Sequence, residues 1–339
     1  MNEFYNKMKY FEETEKIPAQ IFYHYTSLEA LYNIVSSKTF RLTSLKSSND
    51  AKELYYKPEN FINDFKEIID KENDEITKRC FRLIKECVEL HEVEFIKGGK
   101  QKTYPYALCL SEKRDNLTHW DRYASSCKGV CIGINVSALR VLMQRMAITA
   151  FGIGIYDVGK VLYATEQKER FIRNSLVTIA NAINKQEDVK SSNIEELLRK
   201  GGYVYATSAY LQVAKFVKDN SFVDEDEVRL YHDSASIKGT MHLIELMKND
   251  IEPELYENLK KHFNEFVYQL CLTEESFYMS SKGIRSYKEL CLDAVWGSGT
   301  IPEIILEPMC IQNRKELKHF LKANGLEGTK ISVSSVPIR

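Results

Sequence analysis

Long apolar runs are missing from this chain. No stretch approaches the roughly 20 residues needed to cross a bilayer. Met1 to Lys16 is polar and mixed in charge, without the hydrophobic centre of a secretory leader. No membrane partner is therefore expected, and a cytoplasmic location is. A surplus of charge of one sign is missing too: 47 basic residues face 48 acidic ones, for a formal net charge of −1. Proteins that coat nucleic acid without regard to sequence carry a basic excess against phosphate, so that role is disfavoured, although a local basic patch is compatible with the total. No internal repeat, low-complexity tract or linker rich in proline, glycine and serine divides the chain. Residues 1–339 are accordingly read as a single α+β domain.

The signatures of several chemistries are absent as well. There is no Walker-type phosphate loop. Gly152 and Gly154 lack a third glycine and a suitable helix, which disfavours a Rossmann domain and hydride transfer. Cys127 and Cys131 are separated by three residues with no second cysteine or histidine pair at matching spacing, so no metal site is expected. Most of the eight cysteines lie in apolar runs such as Tyr106-Ala107-Leu108-Cys109-Leu110 and Val130-Cys131-Ile132. There they read as small buried hydrophobes with free thiols.

Core-forming residues are plentiful. The apolar share is 44%, with 20 tyrosines and 16 phenylalanines, enough to bury a core over most of the length. Residues 22–25 suggest a strand. Thr26 and Glu29 have capping-box spacing ahead of a helix carrying Leu28, Leu31 and Val35, and Phe40 to Leu45 suggests a strand returning alongside the first. Residues 52–96 read as mainly helical, with Phe61, Phe65, Ile68 and Ile69 in one stripe and Cys80, Leu83, Ile84 and Cys87 in another. Tyr104 to Leu110 and Gly129 to Val136 suggest buried strands, and Ser137 the cap of a short helix. A hairpin over Phe151 to Ala164 is expected to turn near Asp157-Val158-Gly159. Residues 166–218 read as two or three helices interrupted by Gln186 to Asn193, so that 52–96 and 166–218 are helical insertions on a mixed sheet. Further on come a strand at Val228 to Tyr231, a helix carrying Leu255 to Leu270, a strand at Ile301 to Leu306, a helix closed by Gly325 and a strand near Ile331 to Val336.

Four segments concentrate groups that can do chemistry. Tyr23-His24-Tyr25-Thr26 places an imidazole and a hydroxyl where a strand runs into a helix N-terminus, whose free amides favour anions. The plainer account is a capping Thr26 and a core His24. Ser48-Asn49-Asp50, with Glu53 a turn later, could contribute to a site or simply start a helix. Around Ser111-Glu112 and His119-Trp120-Asp121-Arg122-Tyr123, a helical turn would put Trp120 and Tyr123 on one face. Such a face stacks on a flat heterocycle or, more commonly, locks into the core. In Asp224-Glu225-Asp226-Glu227-Val228-Arg229, a strand of period two would align Glu225, Glu227 and Arg229. Two carboxylates and a guanidinium can orient a hydroxyl and stabilise a developing cation, whereas four acids in a row are more often a solvated turn.

In this order the segments resemble a bacterial family known as domain of unknown function 2971. The resemblance runs through Tyr23 to Thr26, Arg41-Leu42-Thr43, Asn49-Asp50, Cys109 to Glu112, Trp120 to Ala124 and Lys128 to Gly133. It continues through Lys218, Phe222, Glu225 to Arg229, Ile304-Ile305 and Ser335 to Arg339. The layout looks like the ADP-ribosyltransferase fold, especially its toxin and phage-defence members. The resemblance implies an ADP-ribosyltransferase-like mixed β-sheet core and NAD as substrate. It implies catalytic Glu227 and Glu225, with His24, Tyr25, Thr26, Asn49, Ser111, Trp120, Tyr123 and Arg229 binding the nucleotide. The acceptor would be a protein or a nucleic acid, and an antitoxin or regulatory partner would restrain the activity. The alternative is a non-enzymatic nucleotide sensor or regulatory module using the same pocket.

Overall fold

A computed structural model of the chain describes residues 20–45, 56–90, 105–125, 128–139, 156–184, 213–233, 275–280, 283–307 and 309–337, with scattered residues of 206–261 besides. The elements run β1 (Ile21–Thr26), α1 (Leu28–Ser37), β2 (Thr39–Ser44), α2 (Pro58–Lys71), α3 (Glu75–Leu90), β3 (Pro105–Ser111), α4 (Leu117–Tyr123) and β4 (Val130–Asn135). They continue with β5 (Tyr156–Lys160), α5 (Thr165–Asn184), β6 (Glu227–Asp233), β7 (Ser276–Ser280), β8 (Gly283–Cys291), β9 (Glu303–Leu306), α6 (Arg314–Ala323) and β10 (Lys330–Val333). Short 3-10 turns lie at Asn220–Glu225 and Asp293–Val295. Among the ladders between β1 and β4, β2 and β3, β2 and β8, β3 and β6, β4 and β9, β5 and β6, β7 and β8, and β9 and β10, all but the last are antiparallel, and a mostly antiparallel sheet with helices makes the class α+β. The chain divides into two compact units, one of Met1–Lys38, Glu112–Arg145 and Leu292–Arg339, the other of Thr39–Ser111 and Met146–Cys291.

In the first unit the strand order is β10-β9-β4-β1. β4 is buried along five of its six residues, as its unbroken apolar run requires. Tyr25 faces Cys131 across the β1–β4 ladder, and Cys131 faces Ile305 on β9. The helix after β1 begins one residue later than capping-box spacing suggests. Thr26 is the last strand residue, and Ser27 is the N-cap, its hydroxyl accepting from Ala30 N at 3.0 Å. Leu31, Ile34 and Val35 form the buried stripe of α1. At the far end, Leu317 and Leu321 fix α6, and Gly325 follows with φ of 81°.

In the second unit the order is β7-β8-β2-β3 and then β6-β5. The expectation that β2 returns alongside β1 is corrected: its partners are β8 and β3. The 52–96 region holds α2 and α3, and their apolar stripes pack with α5. Phe61, Phe65, Ile68 and Ile69 meet Phe81, Ile84, Val88, Ile172 and Leu176 in one cluster. Asp157 to Gly159 do not turn; they are the middle of β5, which pairs with β6 throughout. The β7–β8 hairpin was not read from the sequence. Its apolar residues Phe277, Met279 and Ile284 are exposed, so the usual inward alternation is lost. Gln186 to Asn193 lie outside the described residues, as does most of the helix expected through Leu270; its residues 253–254, 256–258 and 260–261 are helical.

Candidate functional site

The second unit gathers a four-charge cluster. Asp219 caps the 3-10 turn by accepting from Ser221 N at 3.0 Å, and that turn ends at Asp226. Asp226 is left-handed, with φ of 39°. Glu225 is therefore not on β6 as period two suggests; it closes the turn, and Glu227 opens the strand. Both acids nonetheless reach one ammonium. Lys218 Nζ lies 2.7 Å from Glu225 Oε2 and 2.8 Å from Glu227 Oε2. Arg229, on the same strand face as Glu227, donates from Nε to Oε1 at 2.7 Å and from Nη2 to Oε2 at 3.2 Å. Its Nη1 donates to the Lys215 carbonyl at 3.1 Å.

The neighbouring strands complete this cluster. Antiparallel register sets Ser111 opposite Glu227 and Cys109 opposite Arg229. Ser111 Oγ donates to the Glu225 carbonyl at 2.9 Å, so it anchors the turn. Glu227 N donates to Tyr163 Oη at 3.1 Å. Glu225, Glu227, Arg229 and Lys218 are buried, but Cys109 is exposed. This corrects the reading of Cys109 as a buried hydrophobe. Its thiol donates to Glu227.

Electrostatics follow from this packing. Burial raises the Glu227 carboxyl, opposed by Lys218 and the Cys109 thiol and assisted by Glu225. Burial works against the Lys218 ammonium, but Glu227 and Glu225 outweigh it and its pKa rises. The formal charges of Lys218, Arg229, Glu225 and Glu227 cancel. A buried ion is tolerated only with such pairing. Arg229, with no exposed surface, orients Glu227 instead of facing a ligand, which corrects its expected place among nucleotide-binding groups.

The first unit gathers aromatic rings. Asn116 caps α4 and accepts from His119 N at 3.2 Å. Trp120 and Tyr123 share a helix face, as their spacing requires, and both pack with Tyr25, Ala124, Cys131 and Ile305. Trp120 is completely buried, its Nε1 donating to Asp115 Oδ1 at 2.7 Å and its ring meeting Tyr25 edge-on at 5.0 Å. An indole with both faces covered offers no stacking surface, so that expectation is corrected. Tyr25 is also buried, its hydroxyl donating to the Lys113 carbonyl at 2.7 Å and accepting from Asn116 N at 3.1 Å. Tyr123 stays half-buried. Successive strand residues point to opposite faces. His24 and Thr26 therefore lie on the face away from Tyr23 and Tyr25, and β1 does not bring them to the aromatic cluster. Asn49 lies outside the described residues.

Ser111, Glu225, Glu227 and Arg229, each named from the sequence, lie together in this cluster, whatever their roles. Sequence reasoning missed Lys218 as their hub, along with Tyr163 and Asp115. Lys218 precedes its two partners by seven and nine residues across a non-repeating turn. No periodicity signals such a contact. Among the described residues, no group of three or more histidine, cysteine and acidic side chains is arranged to hold a metal ion, and no helix is long and apolar enough to cross a membrane.

Fold and cluster together define an α+β protein with mostly antiparallel strand pairing and a buried carboxylate pair held by two cations. Residues 119–230, about a third of the chain, match the model of the family described as protein of unknown function (DUF2971). The family resemblance drawn from the sequence holds over that stretch. It includes Trp120, Tyr123, Lys218, Glu225, Glu227 and Arg229, while His24, Tyr25, Thr26, Asn49 and Ser111 precede it. No curated protein and no solved structure matches the chain.

Proposed function

We propose that this chain is an NAD-consuming transferase with an ADP-ribosyltransferase-like fold, and that Glu227 is the carboxylate acting at the reacting ribose. One observation carries the reading: Glu227 and Glu225, named from the sequence as site residues, meet on Lys218 beside an exposed Cys109, with Ser111 bonded to the Glu225 carbonyl. Breaking the bond between ribose and nicotinamide leaves positive charge on the ribose carbon. A carboxylate fixed in a poorly solvated setting stabilises that charge far better than one in water. Glu227 is so fixed, by Arg229 on one oxygen and by Lys218 and Arg229 on the other. In this reading Glu225, which shares the ammonium, takes the proton of the attacking group.

The fit to NAD is partial, because Trp120 is too buried to stack on nicotinamide. The proposed activity therefore rests on the carboxylates. The family resemblance adds the setting: a toxin or phage-defence role, a protein or nucleic-acid acceptor, and an antitoxin or other partner that restrains it.

The test is direct. The full-length protein is incubated with NAD and candidate acceptors, and free nicotinamide is measured by chromatography. Glu227→Gln is expected to slow release by about a hundredfold or more, the loss typical of a group used in the transition state. Equal release from the variant would overturn the assignment. A second reading, a nucleotide sensor without turnover, draws on the fact that both Glu227 oxygens already accept from cations. Calorimetric binding of NAD with no nicotinamide released would favour it.

A further inference from the structure

We infer that Lys218 is the positioning residue of this centre, holding the Glu225 and Glu227 carboxyl groups together on one ammonium. For activity the inference rests on the transferase reading; for geometry it stands without it. The two acids come from different local structures, one closing a 3-10 turn and the other opening a strand, with left-handed Asp226 between them. Nothing in that backbone obliges their side chains to meet. They meet on the Lys218 ammonium, 2.7 and 2.8 Å away. Lys218 is itself fixed: the chain at Leu162 and residues 216–218 exchange backbone hydrogen bonds, and the ammonium lies 4.9 Å from the centre of the Phe222 ring.

Two carboxylates brought to one site without a cation repel, and one of them takes up a proton. Lys218 works against this at Glu227, where burial pushes the carboxyl up and the ammonium pulls it down. Among the described residues, Arg229 from β6, Cys109 from β3 and Tyr163 from the segment after β5 also face the pair. Arg229 bonds Glu227, but neither Cys109 nor Tyr163 supplies a positive charge. Losing the ammonium should therefore move the titration of Glu227 upward. The carboxylate needed at the ribose would then be ionised over a narrower pH range.

The experiment compares Lys218→Met and Lys218→Arg with the wild type in the full chain. The first readout needs no activity: carboxyl carbon shifts of labelled glutamate are followed against pH, with Glu227 assigned through Glu227→Gln. In Lys218→Met the Glu227 titration is expected to rise by about one unit or more, and in Lys218→Arg to stay near the wild type. The second readout is the pH profile of nicotinamide release. Its acidic limb should move the same way, with kcat falling about a hundredfold and KM changing little. A folded Lys218→Met whose Glu227 titrates as in the wild type overturns the inference. Should Lys218→Met fail to fold, Lys218→Gln takes its place, because its amide still donates a hydrogen bond but carries no charge: the Glu227 titration should still rise, and an unchanged one is equally fatal. If the wild type releases no nicotinamide, the transferase reading fails while the carboxyl titration still decides the role of Lys218.

Discussion

Trp120 shows how one residue can be placed correctly and cast in the wrong role. Helical spacing puts it beside Tyr123, and both do face the same cluster. The indole fills the centre of that cluster and uses its only polar atom on Asp115, whose other oxygen accepts from Ser335 N at 2.8 Å. Asp115 thus ties α4 to the strand end beyond β10. Burial opposes the Asp115 charge, but hydrogen bonds from Ser334, Trp120 and Ser335 outweigh it and hold the carboxyl low. Trp120→Phe keeps much of the apolar volume but removes the N–H and leaves a gap. It should destabilise the protein by about 1–3 kcal/mol, read as a lower denaturation midpoint. NAD affinity, measured by calorimetry on the folded variant, should not change. A ligand-stacking Trp120 would give the reverse pattern, weak binding with intact stability.

The elements differ in how far they could be read beforehand, and the differences have physical causes. α2, α3 and α6 were legible because each buries one stripe and exposes the rest, which periodicity records directly. β3 and β4 were legible as dense apolar runs. β5 was misread because aspartate and glycine signal turns, but Gly159 has a different purpose. A side chain there would come within 3.0 Å of the Phe216 ring, which packs over the strand together with Ala107 and Tyr231. Gly129 is tighter still. A Cβ would lie 2.2 Å from the Thr26 carbonyl oxygen and 2.9 Å from that of Ala124, and neither can swing aside as a side chain does. Gly159→Ala should therefore cost about 1–3 kcal/mol, the ordinary range of overpacking, and Gly129→Ala more than that. Urea unfolding at constant m-value checks the order; an equal or reversed ranking would mean that the backbone at Gly129 yields. The charge cluster was half legible for a similar reason. Its strand residues obey period two, but Glu225 and Lys218 enter through a turn and a left-handed residue that no alternation foretells.

Across the whole chain, basic and acidic residues nearly cancel, so the dependence of stability on pH comes from particular carboxyls more than from net repulsion. They fall into two groups of opposite sign. Arg173 holds Glu72 below the usual range, and Arg114 does the same for Glu303 against the effect of burial. Burial raises Glu227 and Glu307, and Glu307 keeps one buried oxygen without a hydrogen bond. A depressed carboxyl contributes stability that is present above its unfolded value, about 4, and is lost as pH falls through the folded value. A raised carboxyl does the opposite: its contribution is complete below the unfolded value and is lost as pH rises through the folded one. Melting temperature should thus pass through a maximum on the acidic side of neutrality. Glu303→Gln should lower the neutral-pH melting temperature and flatten the fall towards acid, because the Arg114 pairing it removes is the one acid disrupts. Glu307→Gln should flatten the opposite limb, since an amide cannot ionise as pH rises. Melting curves from pH 3 to pH 8 separate the two, and variants that merely shift the wild-type profile in parallel would show that other groups carry the dependence.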